Sequence, residues 1–364
     1  IDVDTDYISN NYDTDKWYGQ SSLPEFIIGI TSCVFTDTGS SNIETIQYGV
    51  SNNALYAGIT WNVITEDNPD LLRFVTWDLN WEDIKGGYND IYVRVSDNAG
   101  SLATSNKLFT IKYDSDAPSY SIPETLSNDV SWYRISPDWL DNVTVSVKEV
   151  GYSGVVTVSY KIVTESHGQT QNIYTTDDVL EEFSTTFNIQ WQDLRNGTND
   201  IWIIISDRAG NVTNNFGFTI RRDSTTPDIN TYNAENEWDE DWHRVTPDWL
   251  GTDVEKIVTF SDNEQGSGLQ DIGYMLRVSG DDDYYYNGEV LTTDADDWTL
   301  PWSQITEGVS LLQVAVTDNA GNSVDAFITA IRKDITTPNF SGGTNVNSFS
   351  DGWYSDHNHG WIES

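Results

Sequence analysis

Cysteine occurs once in the 364 residues, so no disulfide can form within the chain, and Cys33 sits in the apolar run FIIGITSCVF, where a buried strand thiol is expected. Positive charge is scarce. Against 58 Asp plus Glu stand 18 Lys plus Arg, a formal net charge of -40 at pH 7. A field of that sign repels nucleic acid and anionic membrane surfaces and leaves cations as the natural small partners. Histidine is nearly absent: His167, His243, His357 and His359 are scattered, with no Ser, Cys or metal-ligand signature at useful spacing. His357-x-His359 offers only two ligands, a poor metal site. No phosphate-cradling glycine loop occurs, and acidic pairs at glycosidase spacing are inevitable in so acidic a chain, so they identify nothing. An enzyme is not expected within this segment. No apolar run approaches the roughly 18 residues that cross a bilayer, and no basic and apolar leader follows Ile1, so direct membrane insertion is not expected here.

What the chain has is a repeat. Trp17, Trp132, Trp242 and Trp353 open four units, and Trp139, Trp249 and Trp361 follow within the second, third and fourth. Trp81, Trp191 and Trp302 come later, each followed by glycine (Gly87, Gly197, Gly308) and then by Asp97, Asp207 and Asp318 at the end of an apolar strand. The phrases are IYVRVSDNAGS, IWIIISDRAGN and LQVAVTDNAGN, and the aspartates set a period of 110 to 111 residues. Each unit closes on a basic strand and Asp-x-x-x-Pro: KYDSDAP, RRDSTTP, RKDITTP.

Within each unit apolar residues alternate with period two, as in NVTVSV, VVTVSYKI and IWIIIS, with Gly, Asn, Asp and Pro between the runs. About seven short strands in roughly 110 residues, without a helical period, predict a two-sheet antiparallel sandwich. The fold class is therefore all-β: tandem immunoglobulin-like β-sandwich domains arranged end to end, at 1–117, 118–226 and 227–337, with the start of a fourth unit at 338–364. The chain is expected to be an excerpt of a longer array, or else to end in a strand that completes a neighbour's sheet. In these residues it resembles the bacterial and archaeal immunoglobulin-like repeats of cell-surface proteins, which carry Asp-x-Ala-Gly-Asn, Asp-x-Thr-x-Pro and a Ser-Gly followed by an aromatic. Ser153-Gly154 with Tyr160 and Ser267-Gly268 with Tyr274 match the last motif; GSSNIETIQY of the first unit lacks the Ser-Gly. The resemblance implies an extracellular scaffold: a module of an S-layer protein, an adhesin or a secreted polysaccharide-acting enzyme.

The recurrent aspartate has two readings. It can accept backbone amides two residues on, with glycine supplying the positive φ of the hairpin tip. It can also bind metal, because a sandwich brings the last hairpin and the turn after the second strand to the end where the linker enters. Asp114 and Asp116 with Glu149 and Asp207 then converge at one junction, and Asp223, Asp262 and Asp318 at the next, while Asp37 and Asp97 lie near the linker IDVDTDY. Carboxylates so close repel, and structural Ca²⁺ takes six to eight oxygens from such loops. IDVDTDY itself is not an EF-hand loop, since it lacks the glycine and distal glutamate.

Ten of the fifteen tryptophans recur in register, which favours packing; Trp61, Trp77, Trp202, Trp238 and Trp298 do not and are left as contact residues. Asp281-Asp282-Asp283 with Tyr284-Tyr285-Tyr286 reads as a solvated hairpin. Asn142, Asn196, Asn211 and Asn339 are glycosylation sequons. The expected function is a non-catalytic extracellular, cell-surface protein, a calcium-stiffened array in an S-layer or similar envelope assembly. Its partners are copies of itself, with other envelope proteins or glycans. The alternatives are the stalk of an adhesin and accessory modules of a secreted polysaccharide-acting enzyme.

Overall fold

The structure, a computed structural model, describes residues 2–4, 15–20, 30–52, 59–66, 72–77, 79–164, 167–231, 241–247, 258–280, 284–289 and 300–339. It is all-β, and one sheet plan returns three times. In the first repeat Asp2–Asp4, Ile30–Thr36 and Leu72–Trp77 form one antiparallel sheet. A second sheet runs in the order Trp17–Tyr18, Phe109–Tyr113, Gly87–Asp97, Ile43–Ser51 and Thr60–Glu66. The second repeat matches both: Ser119–Ser121, Val143–Lys148 and Glu182–Phe187, then Trp132–Tyr133, Val212–Arg222, Gly197–Asp207, Val155–Thr164 and His167–Leu180. In the third, Asp228–Thr231 pairs with Val258–Ser261, and Trp242–His243, Ser323–Lys333, Gly308–Asp318, Leu269–Val278 and Tyr284–Glu289 make the larger sheet.

Two sheets with this strand order are the immunoglobulin-like sandwich that the period-two pattern predicts. Contacts divide the chain into two compact units. One holds Ile1–Asp228 with Ser261–Gln270 and Thr317–Val324; the other holds Ile229–Phe260, Asp271–Val316 and Asp325–Ser364. The first unit thus takes in the two short segments of the third repeat that carry Asp262 and Asp318.

Alternation is the reason the sheets find each other. In Gly197–Asp207, Ile201, Ile203 and Ile205 are fully buried, and they meet Val143, Val145 and Val147 of the opposite sheet together with Val155, Val158 and Tyr160. Each such aliphatic side chain contributes about 1.5–3 kcal/mol of burial, so the core favours one register over a one-residue slip.

The registered tryptophans divide. Trp81, Trp191 and Trp302 each open a short 3₁₀ turn, at Trp81–Asp83, Trp191–Asp193 and Trp302–Gln304. Arg222 lies 4.7 Å over the Trp191 ring and donates to the Trp191 and Leu194 carbonyls, and Lys333 does the same over Trp302 at 4.8 Å, donating to Trp302 and Ile305. In the first repeat Tyr113 takes that place, 5.8 Å from Trp81. Trp17 is buried, but Trp242 is 58% exposed and departs from the packing role its register implies. Trp249, Trp353 and Trp361 lie outside the described residues, as do Trp238, Trp298, His357, His359 and Asp281 to Asp283. Of the unregistered tryptophans, Trp61 carries the Arg94 guanidinium 4.4 Å over its ring and Trp202 meets Phe216 edge-on.

The glycine after each Trp turn leads to a buried asparagine in two repeats. Asn199 is fully buried, accepts from the Arg195 amide and donates to the Arg195, Gly197 and Ile220 carbonyls; Asn89 does the same with Lys85, Gly87 and Ile111. Replacing Asn199 with Ala strands these backbone groups, so we expect Asn199→Ala to lower stability by roughly 2–3 kcal/mol, read as a fall in the urea midpoint, with or without calcium.

Candidate metal centre

The aspartate at each hairpin tip is first a turn residue. Asp207 Oδ1 accepts the Asn211 amide at 2.8 Å and Oδ2 accepts Asn211 Nδ2 at 2.8 Å, while Gly210 N donates to the Asp207 carbonyl. Asp318 repeats this with Ala320 N at 2.9 Å, Asn322 N at 2.8 Å and Asn322 Nδ2 at 2.8 Å. Asp97 accepts from Ala99 N at 3.0 Å and Ser101 N at 2.7 Å. The glycine of each tip has positive φ, at 81°, 86° and 86° for Gly100, Gly210 and Gly321, which β-carbon-bearing residues disfavour. Turn chemistry therefore accounts for all three recurrences.

In two repeats the same carboxylate does more. Asp114, Glu149 and Asp207 converge with one oxygen each within 4.8 Å of the others, and Asp223, Asp262 and Asp318 do likewise. The first three are all buried; in the second set Asp262 is half-buried. The linker aspartates reach these positions because their amides bond back to the preceding repeat, Asp114 N to the Tyr18 carbonyl at 2.9 Å and Asp223 N to Tyr133 at 3.0 Å. The loop after the second strand then wraps the linker carboxylate. Asp114 Oδ2 accepts from Tyr152 N and Ser153 N at 2.8 and 2.7 Å, and Asp223 Oδ2 accepts from Ser267 N at 2.7 Å. Glu149 Oε1 accepts from Val150 N and Gly151 N, whereas Oε2 is buried with no partner, and so is Ser153 Oγ. Asn211 Nδ2 also donates to the Asp114 carbonyl at 2.9 Å, and Asn322 Nδ2 to that of Asp223 at 3.0 Å, tying hairpin to linker.

Six of the nine candidate ligands are thus brought together and three are not. Asp116 is exposed and offers its amide to Asp114. Asp37 holds a local turn through Gly39 N and Ser41. Asp97 has its hairpin role, with no carboxylate cluster among the described residues. Of IDVDTDY, residues 2–4 are described. Asp2–Asp4 is a strand with Asp2 opposite Thr36, just as Ser119 lies opposite Lys148, so Asp2 and Asp4 sit past the position of Asp114. The first repeat also has its Ser-Gly equivalent in disguise. Ser41-Asn42 fills the place, with Asn42 at φ 65° and its carbonyl accepting Asn98 N, as Gly154 accepts Arg208 N; asparagine tolerates that conformation, so composition hides the match. Sequence reasoning also missed the network residues Asn211, Asn322, Gly151 and Gly266, although the fifth letter of Asp-x-Ala-Gly-Asn carried the signal for the first two. Of the sequons, Asn142 and Asn339 are exposed, and Asn196 Nδ2 donates to Thr225 at 2.6 Å. Asn211 Nδ2 is engaged by the cluster, and a glycan on it would break those bonds.

Every hydrogen bond described to the clustered carboxylates comes from a neutral amide, so none brings a positive charge to them. Burial, with Asp114 and Asp207 beside it, pushes the Glu149 carboxyl above its usual range. Burial raises Asp207 against the opposing Asn211 bonds, and burial also raises Asp262. Asp97 goes the other way, held below its ordinary value by the Ser101 amide. An all-oxygen set of three carboxylates with an unpartnered buried oxygen fits a hard divalent cation of the Ca²⁺ type, not zinc or copper.

No protein-family profile matches the chain, and no curated protein matches it. Among solved structures it is similar to the tetra-tandem repeat in the extending region of a large adhesion protein, at 13% identity over 85% of this chain and 71% of that one, with a TM-score of 0.32. It is similar to a Ca²⁺-stabilized adhesin that helps an Antarctic bacterium reach out and bind ice, at 17% identity over 84% and 68%, with a TM-score of 0.28. Extracellular cadherin domains 3–6 of protocadherin gamma B2 match at 12% over 83% and 68%, with a TM-score of 0.33. TM-scores this low leave fold and function to be argued from the chain itself.

Three outcomes follow from the geometry. For a carboxyl whose folded pKa is raised, the stabilising contribution is complete below its unfolded value, about 4, and is lost as pH rises through the folded value. Freed of divalent cations, the chain should therefore have its two cluster loops better protected from amide exchange near pH 5 than at pH 7. Glu149→Gln should stabilise the cation-free chain at pH 7, seen as a higher melting temperature. A β-carbon on Gly151 would lie 2.0 Å from Asp114 Oδ1, and one on Gly266 2.4 Å from Asp262 Oδ2. Gly151→Ala should thus displace the loop and weaken calcium binding by about tenfold or more in calorimetry, with the urea midpoint of the sandwich core little changed.

Proposed function

We propose that this chain is a non-catalytic structural segment of an extracellular, cell-surface protein, a run of immunoglobulin-like repeats at 1–117, 118–226 and 227–337 whose linkers are locked by calcium. The observation that carries this is the pair of carboxylate clusters in register, each built from a linker, a loop and a hairpin, with Glu149 Oε2 buried and unpartnered. Uncompensated, three like charges in so small a volume oppose the arrangement; a divalent cation reverses the sign of that contribution. Extracellular modules bind calcium at roughly 10⁻⁴–10⁻³ M, a range that outside fluids satisfy and cytosol does not. No helix among the described residues is long and apolar enough to cross a membrane.

The net charge of -40 extends the reading to assembly. Copies this acidic repel until divalent cations screen or bridge their faces, which suits an S-layer or similar envelope lattice built from the chain itself. Two of the sequons, Asn142 and Asn339, are exposed and suit a surface that carries glycans.

In about 5 mM calcium, occupancy of each site should add about 1–2 kcal/mol and raise the melting temperature over a chelated sample. Electron microscopy of the same two samples separates the assemblies. Sheets or filaments that dissolve on chelation support the envelope lattice, isolated rods that lose straightness on chelation point to an adhesin stalk, and no calcium effect on melting or shape overturns the reading.

A further inference from the structure

The two clusters look like copies, yet their oxygens are not equally satisfied. In the second, all six carboxylate oxygens accept a hydrogen bond. Asp223 takes Thr225 N and Ser267 N, Asp262 takes Asn263 N and Gly268 N, and Asp318 takes Ala320 N and Asn322 N on one oxygen and Asn322 Nδ2 on the other. The serine of the Ser-Gly pair is also used, because Ser267 Oγ accepts Ala320 N at 3.0 Å. In the first cluster Glu149 Oε2 has no partner although Glu149 is 8% exposed, and Ser153 Oγ, in a residue with no exposure, has none either.

The surroundings differ in the same direction. Beside the first cluster the hairpin tip packs on backbone: a β-carbon on Gly19 would lie 2.6 Å from the Ala209 carbonyl, and one on Gly86 would lie 2.8 Å from the Tyr152 ring. Beside the second, the corresponding places are taken by long polar side chains. Arg134 Nη1 donates to the Gly321 carbonyl at 3.1 Å, and Gln265 stands against Gly197. Its third ligand is shorter and more exposed as well, Asp262 where the first has Glu149.

We infer that the clusters form a graded pair: Asp114, Glu149 and Asp207 take the divalent cation first and hold it at calcium concentrations that leave Asp223, Asp262 and Asp318 empty. A cation entering the first cluster supplies a partner to a buried charged oxygen that otherwise has none, and the loop that wraps Asp114 carries an unpartnered hydroxyl, Ser153 Oγ, left over for coordination. In the second it must compete with donors already in place, and with water that reaches Asp262. The first link is then the permanent one and the second responds to changes in outside calcium. This inference rests on the calcium reading above.

The test is a calcium titration of the full chain, with amide exchange read in the loop from Val150 to Ser153 and in the loop from Asn263 to Gly268. Half-protection of the first loop is expected at a free calcium concentration at least about threefold below that of the second. Glu149→Gln should raise the first midpoint and leave the second in place, and Asp262→Asn should do the opposite. Midpoints closer than about threefold, or in the reverse order, overturn the grading and leave the calcium reading standing. No calcium-dependent protection in either loop removes both. The wild-type midpoints decide the matter even where a variant fails to fold.

Discussion

Like charge held in a small buried volume is the constraint on which the described structure turns. Each cluster draws one carboxylate from a linker, one from the loop after the second strand and one from the last hairpin, segments as far apart in sequence as Asp114 and Asp207. Hydrophobic burial explains each sandwich separately, since Ile203, Val145 and Tyr160 need nothing outside their own repeat. It does not explain why a linker should lie in one place. Backbone amides partly answer that, by holding Asp114 between the Tyr18 carbonyl on one side and the Tyr152 and Ser153 amides on the other. They deliver the carboxylates to one point, and each of these described bonds comes from a neutral amide that brings no positive charge with it.

The hairpin shows how one residue serves both ends. Asp-x-Ala-Gly-Asn closes on itself through the aspartate carboxylate and the asparagine amide, a local device requiring no neighbour. Because Asn211 Nδ2 bonds Asp207 and the Asp114 carbonyl together, the turn is also an arm that reaches the linker. Substituting the asparagine would leave the tip's shape to glycine and loosen its hold on the linker. Ser101 in the first repeat makes the same turn through its amide and lacks the carboxamide that ties the other two hairpins to their linkers.

Much of this was legible because both physical periods are short-range. Strand alternation announced the sandwich, and a 110-residue spacing of Trp, Gly and Asp announced the repeat. The convergence of Asp207 with Asp114 and Glu149 followed from topology, since an immunoglobulin-like sandwich places hairpin, turn and linker at one end. The remainder depended on conformation instead of composition. Asn42 hides a positive φ that glycine would have advertised, and only strand register places Asp2 opposite Thr36. Exposure of Trp242 and the orphaned Glu149 Oε2 are properties of three-dimensional surroundings, and no one-dimensional pattern encodes them.

The first repeat separates the two roles of the aspartate. Asp97 keeps the hairpin and is held below its ordinary pKa by the Ser101 amide, whereas Asp207, in the same turn, is driven up by burial, with the charge of Asp114 adding to the rise. The turn by itself stabilises a carboxylate. Burial at the junction, with the linker carboxylate adding to it, makes the same carboxylate costly, and each linker aspartate is tied backwards in one way: Asp114 to Tyr18, Asp223 to Tyr133 and Asp334 to His243, all by amide to carbonyl. A repeat therefore fixes the linker that leaves it, and at Asp114 and Asp223 the next repeat's loop closes over that linker from the far side. The same carboxylate position thus answers to both neighbours, held through its own amide by the repeat it leaves and through its side-chain oxygens by the loop of the repeat it enters.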